Sequence, residues 1–135
     1  MKILIVEDDF TNRKIMQKIL SIYGDCDMAF DGNEAIEAFQ QSLEENKPYD
    51  LICMDIMMPN MDGQEALTRI RKLEKDSGIA TRKEVKVIMT TALDDPRNVV
   101  ASLKSGASSY IVKPISKQKL FDEISKLGLI ASTGV

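Results

Sequence analysis

The stretch Leu51-Ile52-Cys53-Met54-Asp55-Ile56-Met57-Met58-Pro59-Asn60-Met61-Asp62-Gly63 decides how the chain is read. Its first four residues form a continuous apolar run, as a strand covered on both faces requires. Asp55 falls where that strand should stop. Pro59, Asn60 and Asp62-Gly63 then impose a loop before the next helix. A carboxylate at the carboxyl end of a buried strand is a candidate reactive group. Taken alone, Asp55 reads more simply as a strand terminator or a helix cap. Its role depends on what the rest of the chain brings beside it.

Working outward, Ile3-Leu4-Ile5-Val6 is a second buried run, ending at Glu7-Asp8-Asp9. In the helix that follows, Ile15, Met16, Ile19 and Leu20 form one apolar stripe, Arg13, Lys14, Gln17 and Lys18 turn toward water, and Gly24 closes the segment. Residues Cys26 to Phe30 alternate like a half-buried edge strand. Asp31 with Glu34 resembles a capping box, opening a helix through Ala35, Ile36, Phe39 and Leu43. Asp62 with Glu65 does the same for a helix through Ala66, Leu67, Ile70 and Leu73. Glu74 to Lys86 reads as a long polar connection. Val85 to Met89, running into Thr90-Thr91, is a fourth strand. Asp95-Pro96 starts a helix whose stripe is Val99, Val100 and Leu103, with Gly106 as its stop. Ser109 to Val112 is a fifth strand leading to Lys113-Pro114, and Leu120, Phe121, Ile124 and Leu127 mark a last helix.

Five strands alternating with five helices imply an α/β domain over residues 1–127, with a parallel sheet covered on both faces. Residues 128–135 read as a short flexible tail. At 135 residues, 44% hydrophobic and 29% charged, the composition fits one globular domain. A net charge of -3 and a pI near 5.0 argue against direct nucleic-acid binding. The apolar runs fall far short of the ~20 residues a membrane span needs. The acids after Val6 do not suit a signal peptide, so a cytoplasmic setting is expected. With no histidine and only Cys26 and Cys53, zinc sites and His-assisted nucleophiles are excluded.

In parallel sheets of this kind, ligands bind beyond the carboxyl ends of the strands. Glu7 and Asp8 follow strand one, Asp55 strand three, Thr91 strand four and Lys113 strand five, so one rim collects them. Crowded carboxylates require raised pKa values or a cation. Oxygen-only donors favour Mg2+, or Mn2+ with the same donor set. Beside such an ion Asp55 could attack phosphorus and become an aspartyl phosphate. Lys113 would pair with one phosphoryl oxygen and a threonine hydroxyl with another. Each residue also has a plainer reading: Glu7 or Asp8 as a helix cap, Lys113 as a surface lysine, Tyr110 as a half-buried strand aromatic. Thr90 competes with Thr91.

From Lys2 to about Leu127 the sequence resembles the receiver domain of two-component response regulators. The resemblance is carried by Ile3-Leu4-Ile5-Val6-Glu7-Asp8-Asp9, Ala29-Phe30-Asp31-Gly32-Asn33-Glu34-Ala35, Met54 to Gly63, Met89-Thr90-Thr91-Ala92 and Gly106 to Pro114. It implies a doubly wound, flavodoxin-like sheet in the order 2-1-3-4-5. It implies that Asp55 accepts a phosphoryl group from a sensor histidine kinase or a phosphotransfer protein. Asp8, Asp55 and the Met57 carbonyl would hold Mg2+, with Glu7 acting through water. Thr91, followed by the small Ala92, would be the switch hydroxyl, with Tyr110 changing rotamer beside it. Lys113 would grip the phosphoryl group and precede a cis Pro114. Helix four, strand five and helix five would form the face read by a downstream target protein.

The resemblance also implies a regulatory phosphoacceptor rather than an enzyme, with only slow self-dephosphorylation. Met57 and Leu93, two positions past the acceptor and the switch threonine, are both apolar. Neither can orient an attacking water, so a long-lived phosphorylated form is expected. The connections after helices two and three, Glu44 to Lys47 and Asp76 to Glu84, are longer than in many receivers and should lie away from the site. With no output domain in view, the signal would leave by protein contact, or by relay to another histidine. An Asp-nucleophile phosphatase would need a second acid where Met57 stands. A flavodoxin-like carrier would need a first loop that does not repel phosphate.

Overall fold

A computed structural model describes residues 1–92 and 96–130, with the backbone alone for 96–98. The strands are β1 (Lys2–Val6), β2 (Asp25–Ala29), β3 (Leu51–Asp55), β4 (Lys86–Thr91) and β5 (Ser109–Val112). The helices are α1 (Phe10–Leu20), α2 (Gly32–Glu44), α3 (Gly63–Asp76), α4 (Pro96–Lys104) and α5 (Lys117–Lys126), with a 3-10 turn at Thr81–Lys83. All strand pairs are parallel, and the order is β2-β1-β3-β4-β5.

The unbroken apolar runs of β1 and β3 have a direct cause, because each of these strands is covered on both faces. Leu4, Val6, Ile52, Met54, Val87 and Met89 face Ala35 and Phe39 of α2 and Ala66, Leu67 and Ile70 of α3. Ile3, Ile5, Leu51, Cys53, Ile88 and Ile111 face Met16, Ile19 and Leu20 of α1 and Leu120 and Ile124 of α5. The edge strand β2 buries only Ala29 fully, and Phe30 lies beyond it, half exposed. Asp31 and Asp62 cap α2 and α3 by accepting from the N–H groups of Glu34 and Glu65. In the first of these the Glu34 carboxylate answers by accepting from the Phe30 N–H.

Several expectations need correction. Helix α1 ends at Leu20, well before Gly24, and Ile15 faces solvent because it lies off the Met16-Ile19-Leu20 stripe. Glu74 belongs to α3 and is buried, held by Arg71 (2.6 Å) and by the Val85 N–H (2.6 Å). Two opposed bonds thus turn an apparent loop residue into an anchor. On α4, Val100 and Leu103 are half exposed rather than buried. Gly106 does follow α4, at φ 104°, with the Ala107 N–H bonding back to Ser102. The start of the expected tail is tied down: Leu129 and Ile130 join the α1–α5 side of the core. The expected Asp95 cap, Leu93 and residues 131–135 lie outside the described residues.

Candidate functional site

Parallel pairing aligns the carboxyl ends of β1, β3, β4 and β5 along one rim. Val6 pairs with Met54, Asp55 with Thr90 and Thr91 with Val112, so the residues that follow each strand converge. Glu7 and Asp55 are buried and Asp8 is exposed, with a carboxylate oxygen from each within 4.8 Å of the others. Lys113 reaches in from the end of β5. Its Nζ lies 3.3 Å from Asp55 Oδ2 and 3.4 Å from Glu7 Oε1.

Helix capping is ruled out for Glu7 and Asp8, because Asp9 fills that role by accepting from the Asn12 N–H at 2.8 Å. Glu7 is instead aimed inward. Its Oε1 also accepts from Asn12 Nδ2 at 3.2 Å, while Oε2 is buried without a hydrogen-bond partner. Burial, together with the charge and hydrogen bond of Asp55, raises the Glu7 pKa to about 7 against the opposing pull of Lys113 and Asn12. Burial lowers the affinity of Lys113 for its proton, but Asp55 and Glu7 together outweigh it and the pKa is raised. Three converging carboxylates with one orphaned buried oxygen fit a hard divalent cation, which takes oxygen donors and keeps waters of its own.

The loop behind Asp55 is closely held. The Gly63 N–H bonds to the Ile56 carbonyl, and the Ile56 N–H to the Thr90 carbonyl. A Cβ on Gly63 would stand 2.2 Å from the Asp55 carbonyl oxygen, so only glycine allows this approach. The Met57 N–H points at Asp55 Oδ1 at 3.3 Å, and Met57 itself is 63% exposed. Thr90 and Thr91 are both buried, and Ala92 is exposed. Tyr110 sits on β5 half exposed, and the Lys113-Pro114 bond is cis.

Two residues near the site were not singled out by sequence reading. Asn12 holds Glu7, and Arg13, expected toward water, turns back onto the loop after β1. Helical spacing places both near this loop without saying which way their side chains turn. They lie four and five positions after Asp8, on the first turn of the helix that this loop enters.

Residues 3–125 match the response regulator receiver domain. The chain is 39% identical over 120 residues to a probable transcriptional regulator ycf27 of Guillardia theta, covering 88% of this chain but 42% of that protein. It resembles a chain of the CheX-CheY-BeF3-Mg2+ complex from Borrelia burgdorferi at 30% identity and TM-score 0.78, covering 95% of this chain and 89% of that one. It also resembles a chain of the Saccharomyces cerevisiae complex between the histidine phosphotransfer protein Ypd1 and the receiver domain of Ssk1. There the identity is 27% and the TM-score 0.82, over 98% and 94% of the two chains. The chain therefore belongs to the response regulator receiver domains of two-component signalling, with their flavodoxin-like fold. It spans less than half the length of the curated regulator it matches. Among the described residues no helix is long and apolar enough to cross a membrane.

Proposed function

We propose that this receiver domain accepts a phosphoryl group on Asp55 from a phosphohistidine of a sensor kinase or phosphotransfer protein. The observation that carries this reading is one buried carboxylate, Asp55, set against both Lys113 and the Glu7-Asp8 pair. An Asp55 carboxylate oxygen forms the new P–O bond as the P–N bond to the donor imidazole breaks, and the imidazole leaves with the bonding pair. Lys113 neutralises charge on the transferred group and keeps the Asp55 oxygens oriented. Asp8, Asp55 and the Met57 carbonyl, with Glu7 through water, are the groups that would hold Mg2+. A cation bound there draws negative charge from the phosphoryl oxygens.

The new dianionic group then biases Thr91 and Tyr110, and through them the surface of α4, β5 and α5. The half-exposed Val100, Leu103 and Tyr110 on that surface support its use as a partner face. The domain acts as a regulatory phosphoacceptor rather than a turnover enzyme. Likeness to a receiver co-crystallised with a phosphotransfer protein favours a second use of the same chemistry, onward transfer from Asp55 to a phosphotransfer histidine. Incubation with labelled acetyl phosphate and Mg2+ tests the common step. Stoichiometric labelling of wild type and none of Asp55→Asn is expected; equal labelling of both would refute it. A pull-down comparing phosphorylated wild type with Asp55→Asn then reads the partner switch.

A further inference from the structure

We infer that Arg13 is a positioning residue for the acidic cluster: it fixes the loop that directs Glu7 and Asp8, and so sets cation affinity. The inference rests on the metal-binding reading given above. Arg13 Nη1 donates to the carbonyl oxygens of both Glu7 (3.0 Å) and Asp8 (3.3 Å). One nitrogen thereby ties the two peptide units that carry these side chains.

The guanidinium is itself stacked against aromatic rings. It lies 4.2 Å from the centroid of the Phe30 ring and 5.7 Å from that of Phe10. Phe30 is anchored by its N–H to the Glu34 carboxylate (3.0 Å). On the other side, the Glu7 N–H bonds to the Ala29 carbonyl (3.1 Å). The loop is therefore gripped between α1 and the β2–α2 turn. Asp8, the one exposed member of the cluster, depends most on that grip, because burial does not hold it. Lysine would replace this arrangement only in part, since an ammonium can donate to the carbonyls but lacks the planar surface that stacks on the rings.

Charge and position predict opposite signs, which makes the inference testable. A guanidinium beside three carboxylates repels a second cation, so if it acted by charge alone its removal would tighten Mg2+ binding. If it acts by position, removal weakens binding, as loss of a partner behind a metal ligand does elsewhere.

Calorimetric titration of metal-free protein with Mg2+ separates the two, using wild type, R13M, R13K, Phe30→Leu and Asp8→Asn, with melting in chelator run alongside. R13M is expected to bind about tenfold more weakly, with R13K between it and wild type. Phe30→Leu, which removes the stacking ring and keeps the guanidinium, should shift in the same direction and covers the case of R13M failing to fold. Unchanged or tighter binding by R13M, or by Phe30→Leu in its place, with Asp8→Asn silent, overturns the role of Arg13 alone. Wild type that binds no Mg2+, or Asp8→Asn that binds like wild type, overturns the metal-binding reading and this inference with it.

Discussion

The Nζ of Lys113 stands 3.3 Å from Oδ2 of Asp55, joining the ends of β5 and β3 across the intervening β4. The same ammonium lies 3.4 Å from Glu7, so one cation offsets two buried carboxylates. Lys113→Met leaves both acids without it. The expected loss is about 2 kcal/mol of stability near neutral pH, read by urea denaturation in chelator. Labelling by acetyl phosphate should fall at least tenfold. Labelling at the wild-type rate would remove Lys113 from the reaction.

The raised pKa of Glu7 gives the metal-free protein a defined pH response. The folded state holds this proton up to about pH 7, whereas the unfolded chain releases it near the ordinary value of 4.5. Between these limits the native state binds more protons, so stability falls as pH rises. The contribution is complete below 4.5 and lost on passing 7. Lys113, raised from 10.5, changes charge only far above this window. Melting in chelator from pH 4.5 to 8 should show the decline, and Glu7→Gln should flatten it. Mg2+ should counteract the loss on the alkaline side, where Glu7 is ionised.

Gly63 is required by a close approach rather than by an unusual φ. Gly63→Ala drives its Cβ into the Asp55 carbonyl, costing about 2 kcal/mol and displacing the acceptor, so labelling should fall as well. Gly78 has φ 75° with nothing within 4 Å of a built Cβ. Gly78→Ala should cost about 1 kcal/mol through backbone strain and leave labelling intact. Equal labelling by both variants would contradict the placement of Gly63.

Glu74 joins α3 to the start of β4, opposite the rim that carries Asp55. Arg71, its partner, also donates to the Gly106 carbonyl at 3.0 and 2.9 Å. Glu74→Ala leaves the Val85 N–H without its partner and the partly buried Arg71 guanidinium with only the Gly106 carbonyl, with an expected loss of about 2 kcal/mol in chemical denaturation. Glu74→Gln should recover part of it. Phosphoryl uptake by the folded fraction should match wild type.

Met57 has no acid or amide with which to orient water at Asp55. The phosphorylated form should therefore outlast that of Met57→Glu when decay is followed in Mg2+ without a phosphatase. Loss from wild type within seconds would contradict the expectation. Leu93, its expected companion, lies outside the described residues.

The strand runs, the caps at Asp31 and Asp62 and the convergence of Glu7, Asp8, Asp55 and Lys113 on one rim were legible in the sequence. Apolar periodicity and turn chemistry are local properties, and a parallel sheet brings every strand end to the same side. What the tertiary structure alone decided is which polar side chains turn inward. Arg13, Asn12 and Glu74 have ordinary surface spacing. Phe30 stacks on Arg13 and the Val85 N–H holds Glu74 from separate parts of the chain, while Asn12 reaches the carboxylate of Glu7 across a loop whose direction no local pattern encodes. Ile15, Val100 and Leu103 show the converse, apolar residues left exposed because neither core cluster includes them. A hydrogen bond to a buried carbonyl or carboxylate depends on geometry in three dimensions, whereas a strand or a cap needs only its neighbours in the chain.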